Sequence, residues 1–167
     1  MRQGRAYGRP QDEGPTPGAL PSRRLLLADP VRALRARRVV LLGAPNHGTD
    51  LAGAAAALDA GLCASICQLA PGSGLLAELN RGDETPPGPR FYSIWTAQDQ
   101  TVVPPTSAQL PDAVGVPVQS VCPDEQVSHG QLPTDPVVVG MVLQALGTAP
   151  LAASDTSQCS ALRALSR

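Results

Sequence analysis

Ser93-Ile94-Trp95-Thr96-Ala97-Gln98-Asp99-Gln100-Thr101-Val102-Val103-Pro104-Pro105 is the stretch on which the fold turns. It reads as an apolar strand that stops at a polar turn and presents one carboxylate, Asp99. A second such event follows. Val116-Pro117-Val118-Gln119-Ser120-Val121-Cys122 reads as a strand, and the loop Val127-Ser128-His129-Gly130 comes after it. An acid at the end of one strand and a histidine after the next make the second half of a nucleophile–histidine–acid triad. The first half would be a serine on a strand-to-helix elbow, and the chain has no segment of the form Gly-x-Ser-x-Gly.

Working outward, Val39-Val40-Leu41-Leu42 is a continuous apolar run of the kind buried on both faces of a parallel sheet. It ends in a loop of turn formers, Gly43-Ala44-Pro45-Asn46-His47-Gly48-Thr49-Asp50. Residues 51–62 are Ala-rich and predict a helix, with Asp50 or Thr49 able to cap its first turn. Ser73 can cap a second helix over 75–80, where Leu75, Leu76 and Leu79 recur at helical spacing. A polar, proline-rich loop over 82–89 leads to the strand at 91–96, and 114–121 predicts another strand. Asp135-Pro136 opens a helix over 137–146 that Gly147 ends. This alternation predicts an α/β fold: a mostly parallel sheet with flanking helices and polar residues at the carboxyl ends of its strands.

The chain has 167 residues, the length of one domain, with no internal repeat. Hydrophobic residues make up 43% and aromatic ones only 2%, so the core must be built mainly from small side chains. Every cation is arginine. Residues 1–38 carry a net +6 and the remainder −7. The arginines of the basic arm are scattered among Gly and Pro with Tyr7 as the one aromatic, which argues against nucleic acid as a partner. Residues 1–21 lack any apolar period and are expected to be disordered. Residues 22–36 can form a short helix interrupted by Pro30, so 1–36 is read as a basic arm, 37–147 as the folded domain and 148–167 as a Ser/Ala-rich tail. Neither a signal peptide nor a membrane span is expected.

Several residues invite rival readings. His129 is one of two histidines, and a general base needs its far ring nitrogen held by an acceptor, a role Asp99 can fill. His47 is read as holding its own loop. His47 with Asp50 makes only two metal ligands, so no metal site and no cofactor is expected. Ser73 has glycines one residue to either side rather than two and caps a helix instead of acting as a nucleophile. Cys122 is read as lying inside a strand, away from any exposed turn that would make it a nucleophile. The four cysteines, Cys63, Cys67, Cys122 and Cys159, permit two disulfides in three connectivities.

Taken together, Val39 to Ala52, Cys67-Gln68-Leu69-Ala70-Pro71-Gly72-Ser73, Trp95 to Pro105, and Val118 to Pro123 continuing to Val127-Ser128-His129-Gly130 resemble the carboxyl-terminal half of secreted bacterial serine lipases of the α/β-hydrolase fold. The resemblance covers about residues 37–146. It implies a partial α/β-hydrolase fold made of the later strands, with Asp99 as the triad acid and His129 as its base. It also implies an acyl ester or lipid as substrate, an extracellular location, and disulfides pairing Cys122 with Cys159 and Cys63 with Cys67. In that family the serine precedes the acid, and here it would fall before residue 37, where Ser22 in Pro-Ser-Arg-Arg is no elbow. The expectation is therefore a lipase by descent, with this chain alone inactive. The alternative is a remnant with a binding or structural role.

Overall fold

The computed structural model of the chain describes residues 19–58, 66–148, 151 and 155–166. A small open sheet of three parallel strands lies at its centre, in the order β1 (Arg38–Leu42), β2 (Arg90–Trp95), β3 (Val114–Pro117). The register pairs Arg38 with Arg90 and Leu42 with Ile94 on one side, and Tyr92 with Val114 and Trp95 with Pro117 on the other. All three strands therefore end at the same rim. The central strand is apolar throughout after Arg90, with the exception of Ser93, because both of its faces are covered. Tyr92 and Ile94 pack among Val116, Val138 and Met141, while Phe91 joins Leu26 and Ala33 in the opposite layer. Ser93 is buried too, and its hydroxyl donates to the Ala108 carbonyl at 2.6 Å. Each fully buried aliphatic or aromatic side chain here stabilises the fold by roughly 1.5–3 kcal/mol.

The flanking helices are α1 (Ala19–Ala28), α2 (Pro30–Arg35), α3 (Asp50–Leu58), α4 (Gly74–Leu79), the single turn α5 (Val118–Val121), α6 (Pro136–Leu146) and α7 (Cys159–Leu165). Ser73 caps α4 by accepting from the Leu76 N–H. Asp135 caps α6 by accepting from the Val137 and Val138 N–H groups, with Pro136 at the first helical position, where its missing donor costs nothing.

Three parts of the chain differ from expectation. The first is the amino-terminal arm. Its helix is interrupted at Pro30 as expected and restarted by Asp29, whose carboxylate accepts from the Arg32 N–H, but it begins at residue 19, inside the stretch expected to be disordered, and packs on the domain. Leu20 of α1 is buried against Leu76 and Leu79. The second is the strand expected through Cys122, which stops at Pro117. Proline has no donor to continue the ladder, and the backbone turns into α5, so Cys122 follows a helical turn. The third is the tail. Leu162 of α7 is fully buried against α6, and Gly140 lets the two backbones approach so closely that a Cβ there would collide with the Leu162 carbonyl. Thr49 does not cap α3. Its hydroxyl instead donates to the Thr101 carbonyl and accepts from the Val103 N–H, tying the loop after β1 to the loop after β2.

Cys122 and Cys159 form a disulfide that ties α7 to the segment leading to His129. The expected Cys63–Cys67 bridge lies outside the described residues, because Cys63 falls within 59–65.

Candidate active site

Asp99 stands in the turn after β2 because the strand ends at Trp95 and Thr96 closes a tight bend, with the Asp99 N–H donating to the Thr96 carbonyl. Its side chain then folds back on its own loop. One carboxylate oxygen, Oδ1, accepts from the Thr101 N–H at 2.9 Å and the Val102 N–H at 2.8 Å. This Asx turn is a local device that aspartate forms readily, and it fixes the carboxylate before any distant partner arrives. The other oxygen, Oδ2, lies 2.8 Å from His129 Nδ1. The Asp99 side chain is 1% exposed and that of His129 is 32%. A buried carboxylate with each oxygen hydrogen-bonded is a satisfied charge.

His129 begins a short turn, His129–Gln131, between two buried apolar residues, Val127 and Leu132. The turn is held at its start by the Gln131 side chain, which accepts from the Ser128 N–H at 2.9 Å and from its hydroxyl at 2.7 Å. An ionised carboxylate can only accept, so in the neutral ring the hydrogen is assigned to Nδ1 and the Nε2 lone pair is left free. Nε2 has no hydrogen-bond partner among the described residues. His129 helps to line an open cleft of about 670 Å³, together with Gln98, Gln100, Thr101, Gln126, Ser128 and Gln131.

Three supporting residues escaped the sequence reading. Gly43, at φ +53°, ends β1 beneath the histidine, where a Cβ would sit 3.1 Å from His129 Nδ1 and 2.6 Å from Leu132 Cδ1. Gln98 accepts from the Val127 N–H at 3.2 Å, and Gln119 accepts from the Ala97 N–H at 2.8 Å while donating to the Glu125 carbonyl at 3.1 Å. These two amides lock the acid's turn to the segment that delivers the histidine. A glutamine directly before the acid is a sequence signal for such a clamp only once the neighbouring loop is known to be within reach.

The other candidates take structural places. His47 faces the Ser107 carbonyl through Nδ1 at 3.3 Å and Glu84 through Nε2 at 3.2 Å, rather than Asp50. Among the described residues, the cluster of metal-ligating types is Cys122, Glu125 and Cys159. Its two sulfurs are bonded to each other and offer no thiolate.

A second buried charge lies on α1. The Arg23 side chain has no exposure and donates to Asn46 Oδ1, the Leu79 carbonyl, Asn80 Oδ1 and the Glu84 carbonyl at 3.1–3.3 Å. Its Nε has no partner, and the Glu84 carboxylate stays 3.9 Å away. Burial pulls its guanidinium below the ordinary arginine value, and the Glu84 charge acts in the opposite direction.

No protein-family model matches the chain, and no curated protein matches it either.

Proposed function

We propose that Asp99 and His129 are the acid and base of a serine ester hydrolase of the lipase or carboxylesterase type, built on the later strands of an α/β-hydrolase sheet. The observation that carries this reading is the 2.8 Å hydrogen bond from His129 Nδ1 to a buried carboxylate, which leaves Nε2 without a partner on a residue that lines an open cleft. A general base for acyl transfer needs that tautomer and that orientation. Nε2 takes the proton of a serine hydroxyl as it attacks the acyl carbonyl, and Asp99 steadies the imidazolium that forms. The proton then passes to the departing alkoxide, and a water deprotonated in the same way releases the acid. The Cys122–Cys159 disulfide supports placing this chemistry in an oxidising, extracellular setting.

No serine hydroxyl among the described residues bonds Nε2, so in this reading the nucleophile reaches His129 from polypeptide beyond them. That same observation favours a second reading, a non-catalytic remnant with a binding or structural role. The test reads the coding DNA upstream of Met1 in all frames, expresses the longest product and treats it with a fluorophosphonate. The expected result is an adduct on the serine of a Gly-x-Ser-x-Gly segment, lost in His129→Gln. An adduct indifferent to that substitution, or no such segment, defeats the hydrolase reading.

A further inference from the structure

We propose that His129 Nε2 is itself an acyl acceptor, so that the chain hydrolyses activated acyl donors such as aryl esters without any serine. This goes beyond the hydrolase reading and needs only the histidine geometry. Asp99 accepts from Nδ1 at 2.8 Å and so keeps the Nε2 lone pair available; Nε2 is unpartnered among the described residues, and the one-third-exposed ring helps to line an open cleft. His47 differs because both of its ring nitrogens face oxygens, those of Ser107 and Glu84. The chain also contains no lysine, which removes the usual competing amine side chains.

The chemistry closes without an added reagent. The Nε2 lone pair attacks the carbonyl carbon of p-nitrophenyl acetate, the carbon–oxygen bond to the aryl group breaks, and p-nitrophenolate leaves. The ring is now an Nε2-acetyl imidazolium that keeps its Nδ1 hydrogen, and the Asp99 carboxylate offsets its charge. Water adds to the acetyl carbon, the carbon–nitrogen bond breaks with its electron pair returning to Nε2, and acetate and protons enter solvent. Alkyl esters are not substrates, because an alkoxide leaves less readily than imidazole and the intermediate collapses back.

The test treats the purified chain with limiting diethyl pyrocarbonate and maps the ethoxycarbonyl group by mass spectrometry, alongside p-nitrophenolate release from p-nitrophenyl acetate. The label is expected on His129 before His47 and is reversed by hydroxylamine. Release falls about tenfold in His129→Gln and in Asp99→Asn, and stays unchanged in His47→Gln. Asp99→Asn guards against a folding artefact. Its amide oxygen can keep the Thr101 and Val102 N–H bonds while its NH₂ donates to Nδ1, which moves the ring hydrogen to Nε2 and removes the nucleophile. Label arriving first on His47, or release that survives both site substitutions, overturns the proposal. The serine reading stands or falls separately, on the fluorophosphonate adduct of the longer product.

Discussion

Asp99 and Arg23 are both buried charges, yet their surroundings are organised in opposite ways. Asp99 is satisfied almost entirely by its own turn, with the Thr101 and Val102 N–H groups on one oxygen and His129 on the other. Arg23 has no local partner among its acceptors. It reaches from α1 to Asn46, Leu79, Asn80 and Glu84, and one of its nitrogens stays unpaired. A charge satisfied locally can be presented to a cleft, because its own loop carries the cost of burying it. A charge satisfied by distant carbonyls fastens several segments together and, with no exposed surface, is held away from any cleft.

The sharpest way to break this contrast is to remove the arginine. Arg23→Ala strands the acceptors of Asn46, Asn80 and two carbonyls, together with the Glu84 carboxylate, and is expected to cost about 3–5 kcal/mol in urea unfolding. A loss under about 1 kcal/mol would mean that α1 is an ornament, and the contrast would fail. At the other corner the matching tie is covalent. Cys159→Ser opens a loop of 37 residues and should cost about 2–4 kcal/mol. Faster amide exchange at Val127 would accompany it if the disulfide steadies the histidine segment; unchanged exchange would assign the bond to α7 alone.

Asp99→Asn sharpens the comparison from within. It keeps both backbone hydrogen bonds, so stability should move by only about 1 kcal/mol. The nitrogen-15 shifts of the His129 ring should nevertheless exchange places as the hydrogen moves to Nε2. An unaltered tautomer would show that Asp99 does not orient the ring. The smallest effect is expected at Asp155, a partly exposed carboxylate whose ionisation is held below the ordinary range by hydrogen bonds from Ser157 and Gln158. A depressed carboxylate contributes stability above its unfolded pKa and loses it as pH falls through the folded one. Asp155→Asn should therefore lower the neutral plateau of a stability–pH curve slightly and leave its acid end unchanged, so that the acid limb flattens. A new slope above neutral pH would point to a different cause.

The asymmetry between the two corners also explains what could be read in the residues. Asp99 was legible because an apolar strand followed by a polar turn is a local pattern, and His129 because it sits just past the next such pattern. Gly43 and the Gln98 and Gln119 clamp were not. Their value depends on which loop lies opposite, and the register of β1, β2 and β3 sets that. Arg23 looked like one more cation in a Gly- and Pro-rich arm. Its neighbours in space lie 23 to 61 residues away in the chain, and no window of sequence contains them. The strand through Cys122 was overextended because β-branched residues outweighed Pro117, whose missing donor ends the ladder.

The amino-acid order alone determined that the strand before Asp99 gives way to a turn, that Ser73 and Asp135 cap helices, and that one acid and one imidazole lie beyond successive strands. Those are contests among neighbours, decided by periodicity, proline and side-chain hydrogen bonding within a few residues. Only the folded chain decided that Asp99 and His129 touch, that α1 and α7 belong to the packed body, and that Arg23 is buried. Each of these depends on groups far apart in sequence sharing one desolvated space, where an unmatched charge is too costly to remain and a matched one becomes a fixed part of the structure.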